Sequence, residues 1–409
     1  MRQPTVTMLG VATLALVAWA PAVFSQAAPV GAAKVAPQTV EAAGYLFVSG
    51  QGPQHSGAAG NFSEQARETL DNVKKALQGS GLTMEHVVYV QVYLEDVGHI
   101  RELDEVFTSY FPRNPPARAV LGVGKVPQGT IQMNAIAVRD LQGKQAVSVP
   151  GAKANKALSA GMLTHDQLFV STMQGRDAAT GTIPKDPAAQ VNLALDGLKS
   201  VVEAAGLTLA HMVFVNPYMT SEISYQAMNE QYAKRFEFGN TPGRATIEVS
   251  SLPDGAHIAY TGIAVRDLSR RQAVRPKNMP PSPTASPCVF AGDLLYCSAK
   301  SGFIPGPNGG VYFASTADQT RQTMRNLLDN LEEAGLTFDQ VVSATIYLDD
   351  LSDTGAFEGI YNRYFPTQLP SQTVVQQLAP GERKADAEGH YPTLEQVSLV
   401  ARRNGKPGN

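Results

Sequence analysis

Two arginines, Arg118 and Arg244, hold the same place in two related phrases, PPARAVLGV at 115–123 and TPGRATIEV at 241–249. A third phrase, LPSQTVVQQ at 369–377, carries Gln372 in the arginine's place. A guanidinium presents a planar fork of donors that matches a carboxylate bidentately, so an arginine opening a strand on a cleft wall suits capture of a small acid. Side chains two apart on a strand share a face. Arg244, Thr246 and Glu248 therefore line one side of the second phrase, against Arg118, Val120 and Gly122 in the first and Gln372, Val374 and Gln376 in the third. Thr246 and Glu248 are candidate catalytic groups beside the arginines. Glu248 is open to two other readings, a solvated charge and an ion partner of Arg244. The expectation is two carboxylate sites per chain, at Arg118 and Arg244. The third cleft is expected to be altered, or covered by the polar stretch LAPGERKADAEGHYPTLEQ that follows its phrase.

The elements that position these phrases recur three times. The tripeptide GLT stands at Gly81, Gly206 and Gly335, and each copy is preceded by a helical pattern with a glutamine at a constant place, Gln65, Gln190 and Gln319. The first helix shows the spacing of an amphipathic face in Ala66, Leu70, Val73 and Leu77. After GLT comes a β-rich run, then a second helix, the arginine phrase and a closing strand, IQMNAIAVRDL, IAYTGIAVRDL or LEQVSLVARR. Ahead of the first helix lies a hairpin ending at a serine: Ser49 in LFVSGQ, Ser171 in LFVSTM and Ser298 in LYCSAK. Three copies of one α+β domain follow, each a mixed sheet with two helices on one face. Their bounds are read as 35–145, 150–270 and 282–404, joined by SVPGAKANKAL and the proline-rich RPKNMPPSPTASP.

The hairpin ending in VSGQ, the glutamine-bearing helix, GLT and the arginine phrase before IAVR resemble the RidA/YjgF family of imine/enamine deaminases. The resemblance covers essentially all of the chain after residue 27, three times over. It implies the chorismate mutase-like fold of that family and ligand clefts between neighbouring copies. It also implies that one chain forms an intramolecular pseudo-trimer. On the same resemblance Arg118 and Arg244 bind the carboxylate of a 2-imino or 2-enamino acid, and Asn229 matches the family's second-helix asparagine, where Asp104 and Glu358 stand in the other copies. The backbone near Ser49, Gly50 and Ser171 would face the reacting carbon. Two departures bear on catalysis. The family's closing-strand glutamate is matched to Asn134, Thr261 and Val397, none of which is a general base near neutral pH. The family's tyrosine near the hairpin start is matched to Ala36, Leu158 and Ala285.

Composition narrows the partners. The net charge of −3 comes without any long basic run, which disfavours nucleic acid and the endoribonuclease activity ascribed to some family members. The seven histidines show no metal-ligand spacing, and no cofactor is implied. Residues 1–27 read as a signal peptide: Arg2, an uncharged, largely apolar run from Met8 to Phe24 that holds the single tryptophan, Trp19, and a small-x-small site at Ser25-Gln26-Ala27. An uncleaved anchor is the alternative. The mature chain is expected to be exported to the periplasm or medium, free of the membrane, and a monomer of three domains. Cys288 and Cys297 face each other across a two-residue turn at Gly292-Asp293, which permits a disulfide in an oxidising compartment or leaves two buried thiols. Three readings remain: hydrolysis of small 2-imino or 2-enamino acids to 2-oxo acids and ammonia, binding of a small carboxylate without turnover, or a structural repeat whose clefts are relics.

Overall fold

The computed structural model describes residues 34–55, 60–277, 279–306 and 310–403. The expected signal peptide, including Trp19, lies outside them. The first repeat runs β1 (Thr39–Ala42), β2 (Tyr45–Gln51), α1 (Phe62–Gly79), β3 (Val87–Leu94), α2 (Ile100–Tyr110), β4 (Ala117–Gly122) and β5 (Ile131–Val138). The second runs β6 (Gln145–Val147), β7 (Gly161–Leu163), β8 (Gln167–Gln174), α3 (Pro187–Ala204), β9 (Met212–Met219), α4 (Tyr225–Tyr232), β10 (Gly243–Arg244), β11 (Ile247–Glu248) and β12 (Ile258–Val265). The third runs β13 (Arg271–Val274), β14 (Cys288–Ala291), β15 (Leu294–Lys300), α5 (Thr316–Glu333), β16 (Val341–Leu348), α6 (Thr354–Tyr361), β17 (Ser371–Gln376) and β18 (Glu395–Arg402). The first sheet has the order β1-β2-β5-β3-β4; the third repeats it with one strand added, and the second with one strand added and the strand equivalent to β4 split into β10 and β11. Those added strands, β6 and β13, lie just ahead of the segments read as linkers, and each pairs antiparallel with the first hairpin strand of the repeat that follows.

The GLT ruler has a local cause. Gly81, Gly206 and Gly335 take φ of 74°, 76° and 72°, a left-handed turn that ends a helix at little cost only for glycine. The following Thr83, Thr208 and Thr337 each cap a short 3-10 turn. Their backbone N–H groups donate to Nδ1 of His86 at 3.2 Å, Nδ1 of His211 at 3.2 Å and Oε1 of Gln340 at 2.7 Å. The recurring histidine and its glutamine substitute are thus capping residues. The constant glutamine ties the first helix to the closing strand in two repeats: Gln65 Oε1 accepts from the N–H of Thr130 at 2.8 Å, and Gln319 Oε1 from that of Leu394 at 2.9 Å.

Each sheet is buried on both faces. One face packs on its own helices, as Leu70, Val73, Leu103 and Phe107 do against Val90 and Val92. The opposite faces of all three sheets meet in one shared core that holds Tyr45, Tyr89, Phe169, Phe214, Tyr218, Tyr296 and Tyr347. This explains why β3 reads VVYVQVYL without polar alternation and is buried throughout. Inside the core, Gln91 Nε2 donates to the hydroxyls of Tyr218 at 3.1 Å and Tyr347 at 3.4 Å, so one side chain touches all three repeats.

The contacts between repeats run in a closed ring. The N–H of Arg118 donates to Oγ of Ser171 at 2.8 Å, that of Arg244 to Oγ of Ser298 at 2.8 Å, and that of Gln372 to Oγ of Ser49 at 3.0 Å. Each serine hydroxyl in turn donates to a backbone carbonyl of its own repeat at 2.6 Å, that of Ser159, Ser286 or Pro37. The arginine phrase of one repeat is therefore stitched to the hairpin of the next. Cys288 and Cys297 stand directly opposite across the β14–β15 pair and are joined by a disulfide.

Candidate functional site

Each hairpin carries an extra residue just past its second strand's midpoint. The register against the closing strand slips between Val48 and Gln51, between Val170 and Met173, and between Cys297 and Lys300. These β-bulges hold the linking serines. Bulges next to clefts re-aim side chains, and here they set the walls on which the arginine phrases close.

The three walls are furnished differently. In the first cleft Arg118 is 2% exposed and its Nη2 is paired with Asp104 of α2, while its guanidinium carbon lies 4.7 Å from the centre of the Phe107 ring. Its Nε and Nη1 have no hydrogen-bond partner among the described residues. The pair is self-neutralised and enclosed. Arg118 was expected to open onto a carboxylate cleft; the structure places it as a buried cation paired with Asp104.

In the second cleft Arg244 is half-buried and lines a cavity of about 610 Å³ with Thr246 and Tyr225 of its own repeat and Ser298, Lys300 and Tyr312 of the third. Nη1 donates to Oδ1 of Asn229 at 2.8 Å, and the guanidinium carbon lies 5.1 Å from the Tyr232 ring centre. Asn229 occupies the place that Asp104 has in the first repeat. A neutral amide orients the guanidinium without cancelling its charge, whereas a carboxylate cancels it. Burial holds the guanidinium below its usual value, as it does the Lys300 ammonium. Among the described residues no carboxylate lines this cavity. The Thr246 hydroxyl is buried without a hydrogen-bond partner among the described residues. The arrangement is a pair of cations without a carboxylate partner among the described residues, lining a partly apolar cavity, which favours a small anion.

The strand bearing Arg244 is split into β10 and β11, and the cause lies in β9. The N–H of Ala245 donates to the carbonyl of Val215 at 3.3 Å. The return bond of this parallel ladder would come from residue 217, which is Pro217 and has no N–H. The ladder is interrupted at Ala245 and Thr246, beside the arginine, while β4 and β17 pair continuously.

In the third cleft the Nε2 of Gln372 is buried without a partner among the described residues, and Glu358, at the place of Asp104, is exposed. The long loop before β18 is held to its own repeat by Arg383, which meets Asp349 at 2.8 Å and Asp353 at 2.5 Å. None of its described side-chain hydrogen bonds reaches Gln372.

Several site expectations are revised. Glu248 does not line the Arg244 cavity. It faces a separate one of about 520 Å³ with Glu222, His257 and Leu378, and it has no ion pair among the described residues. Ser49 and Ser171 spend their hydroxyls on the links between repeats, and the serine of the Arg244 cleft is Ser298. Gly50 lies against the Gln132 side chain, which a Cβ would approach to 2.9 Å. Asn229 is a holder of Arg244. The closing-strand match was also off by one residue in the third repeat. Asn134 pairs with Gln91, Thr261 with Asn216 and Ser398 with Thr345, so Ser398, not Val397, is the equivalent. All three line a central cavity of about 90 Å³ between the repeats. The closing-strand residue on the Arg244 cavity is Gln396, equivalent to Gln132 and Ala259. Ala285 does line that cavity, and Tyr225 and Tyr312 bring phenols to it. Lys300 was missed, although its departure from Gln51 and Met173 in the other copies was a visible signal.

The comparisons agree with the repeat structure. The model of the family described as endoribonuclease L-PSP matches residues 26–139, 150–266 and 278–383. A RutC family protein of Pyrococcus horikoshii is 32% identical over 108 residues, 25% of this chain and 86% of that protein. Protein HMF1 of Saccharomyces cerevisiae is 30% identical over 119 residues, 28% of this chain and 92% of the relative. A crystal structure of a chorismatase, 13% identical with a TM-score of 0.50, covers 78% of this chain and 93% of its own, a likeness of fold that extends across more than one repeat. The chain belongs to the endoribonuclease L-PSP family, the RutC/YjgF group, and carries that family's domain three times.

Proposed function

We propose that this chain binds one small 2-imino or 2-enamino carboxylic acid in the cleft between its second and third repeats and promotes its hydrolysis to the 2-oxo acid and ammonia. The observation that carries the reading is the contrast between two arginines at one repeat position: Arg118 is neutralised by Asp104, and Arg244 is held by neutral Asn229 in an open cavity. The carboxylate would dock on Arg244, with Lys300 adding to the field. Met279, Pro280 and Tyr312 leave room for an apolar side chain on the acid. Water adds across the C=N bond, and ammonia departs as the carbonyl forms. Membership of the family supports this class of ligand. The disulfide suits the exported location proposed from the sequence.

A binding role without turnover is the second reading, favoured by the lack of any carboxylate to activate water among the described residues of the cavity wall. One assay separates them. The imine of pyruvate is generated in situ, and its disappearance is followed with wild type, Arg244→Gln and Arg118→Met. A charge-assisted bond is worth about 1.5–3 kcal/mol, so Arg244→Gln should lower the rate enhancement about ten- to a hundredfold, with Arg118→Met close to wild type. Arg244-dependent pyruvate binding without any acceleration would leave the second reading. Binding and rate both indifferent to Arg244 would end both.

A further inference from the structure

The cleft holds an amine that the carboxylate-docking role does not use. Lys300 is the last residue of β15, immediately past the bulge that follows Cys297, and it lines the same cavity as Arg244, Thr246 and Gln396. The other two repeats place Gln51 and Met173 here. Gln51 turns its amide back onto the carbonyl of Ser49 at 3.0 Å. The Lys300 side chain makes no hydrogen bond or ion pair among the described residues. The amine thus occurs in one cleft of three, and it is the cleft whose arginine is free.

We propose that Lys300 is the nucleophile of this site, forming a covalent imine with C2 of the acid docked on Arg244. The proposal rests on the carboxylate reading given above. Its chemistry balances without a further reagent. The unprotonated Nζ adds to C2 of R–C(=NH)–COO⁻, one Nζ proton passes to the substrate nitrogen to give the geminal diamine, and the second follows as the C2–NH2 bond breaks, so that ammonia leaves and the lysyl imine R–C(=N–Lys)–COO⁻ forms. Water then adds to that imine, the C2–Nζ bond breaks, and the 2-oxo acid departs with the free amine restored. Run from the product side, a 2-oxo acid and Lys300 give the same imine with loss of water. Covalent catalysis of this kind replaces activation of water by a carboxylate, a group not found among the described residues of this cavity. Three further features fit the step. Arg244 lines the same cavity as the amine, on the wall where the carboxylate would dock. Burial holds the Lys300 ammonium below the ordinary lysine value, which raises the fraction of free amine. The unpartnered Thr246 hydroxyl and the Gln396 amide can hold the departing nitrogen or the entering water.

The test is borohydride trapping with pyruvate on the full mature chain, read by peptide mass spectrometry and run beside a calorimetric titration with pyruvate. The expected result is one reduced pyruvyl adduct per chain, on the peptide containing Lys300. It should be absent from Lys300→Arg, which keeps the charge but cannot form the imine, and from Lys300→Gln, the residue the first repeat carries. It should fall at least tenfold in Arg244→Gln, and its rate in wild type should rise with pH through a midpoint below that of free lysine. Arg244-dependent pyruvate binding with no adduct, or an adduct persisting in Lys300→Arg, would overturn the proposal and leave the carboxylate reading standing. Wild type that neither binds nor traps pyruvate would remove both.

Discussion

Arg118 and Asp104 should respond to mutation in opposite ways, and neither response should touch ligand binding. Arg118 is 2% exposed while its partner Asp104 is 35% exposed. Removing the carboxylate leaves a guanidinium that already lacks partners at Nε and Nη1 with its Nη2 bond gone as well. Stranding one member of a buried pair costs about 3–5 kcal/mol, and Asp104→Ala should lose stability on that scale. Arg118→Met removes the buried charge and leaves an aspartate that water can reach. Replacing a buried ion by a well-packed apolar side chain is often neutral or stabilising, so this variant should stay within about 1 kcal/mol of wild type, the lost contact with Phe107 being offset by the methionine's own packing. Urea unfolding followed by circular dichroism gives the stabilities, and calorimetry with pyruvate the affinity, at a stoichiometry of one per chain. An Arg118→Met protein that folds but no longer binds the acid, or that binds one equivalent where wild type binds two, would show that the first cleft is a receptor after all.

Other consequences can be checked on the same preparation. Burial pushes the Glu395 carboxyl up to about 8, and Thr323 bonds one of its oxygens. An acid raised in the fold is stabilising only while protonated. Stability should therefore fall as pH rises from the ordinary 4.5 toward 8, by up to about 3 kcal/mol at pH 7 at roughly 1.4 kcal/mol per pH unit, and Glu395→Gln should flatten that slope. A wild-type profile no steeper than the variant's would contradict this. The Cys288–Cys297 bond closes a hairpin that is already tight, so the protein should show no titratable thiol when denatured without reductant, and reduction should cost little, at the low end of the roughly 0–5 kcal/mol range. Because the ring of contacts closes within one chain, light scattering should give the mass of a single mature chain.

The periodic parts of this molecule were legible because repetition amplifies weak signals. One GLT means little, but three at a constant distance from a glutamine and an arginine phrase fixed the domain three times. Cys288 and Cys297 could be placed opposite each other because a two-residue turn sets the register by counting. The register of β18 failed for the opposite reason: its repeat has lost the IAVR anchor, and without it Val397 was matched where Ser398 belongs. The added strands β6 and β13, just ahead of the linkers, were not expected from the sequence, yet both contain Gln-Ala-Val, at 145–147 and 272–274. Which serine meets which arginine depends on the direction of the ring, and no local pattern encodes that. The difference between the arginines was written at Asp104 and Asn229, but its meaning needs the knowledge that those side chains reach the guanidinium.

Covalent fusion gives that difference its physical sense. In a ring of three identical chains every cleft carries the same residues, so an arginine neutralised in one is neutralised in all. Here one position has taken three forms: an arginine locked to aspartate, an arginine oriented by asparagine, and a glutamine with no charge. The first and third clefts can then be selected for packing, since a cation with its counterion or a neutral amide is easier to enclose than an open charge. The second keeps two cations short of an anion, a state that is unfavourable without a ligand and relieved by one. It is tolerable because the other two interfaces, the disulfide-bonded third sheet and the shared aromatic core hold the walls of that cleft apart and in place. The same separation lets a lysine enter one cleft without disturbing the glutamine and methionine that pack at its equivalents. A site with an unmatched charge and an unpartnered amine is the least stable arrangement of the three, and a single-chain ring is the architecture in which it needs to occur only once.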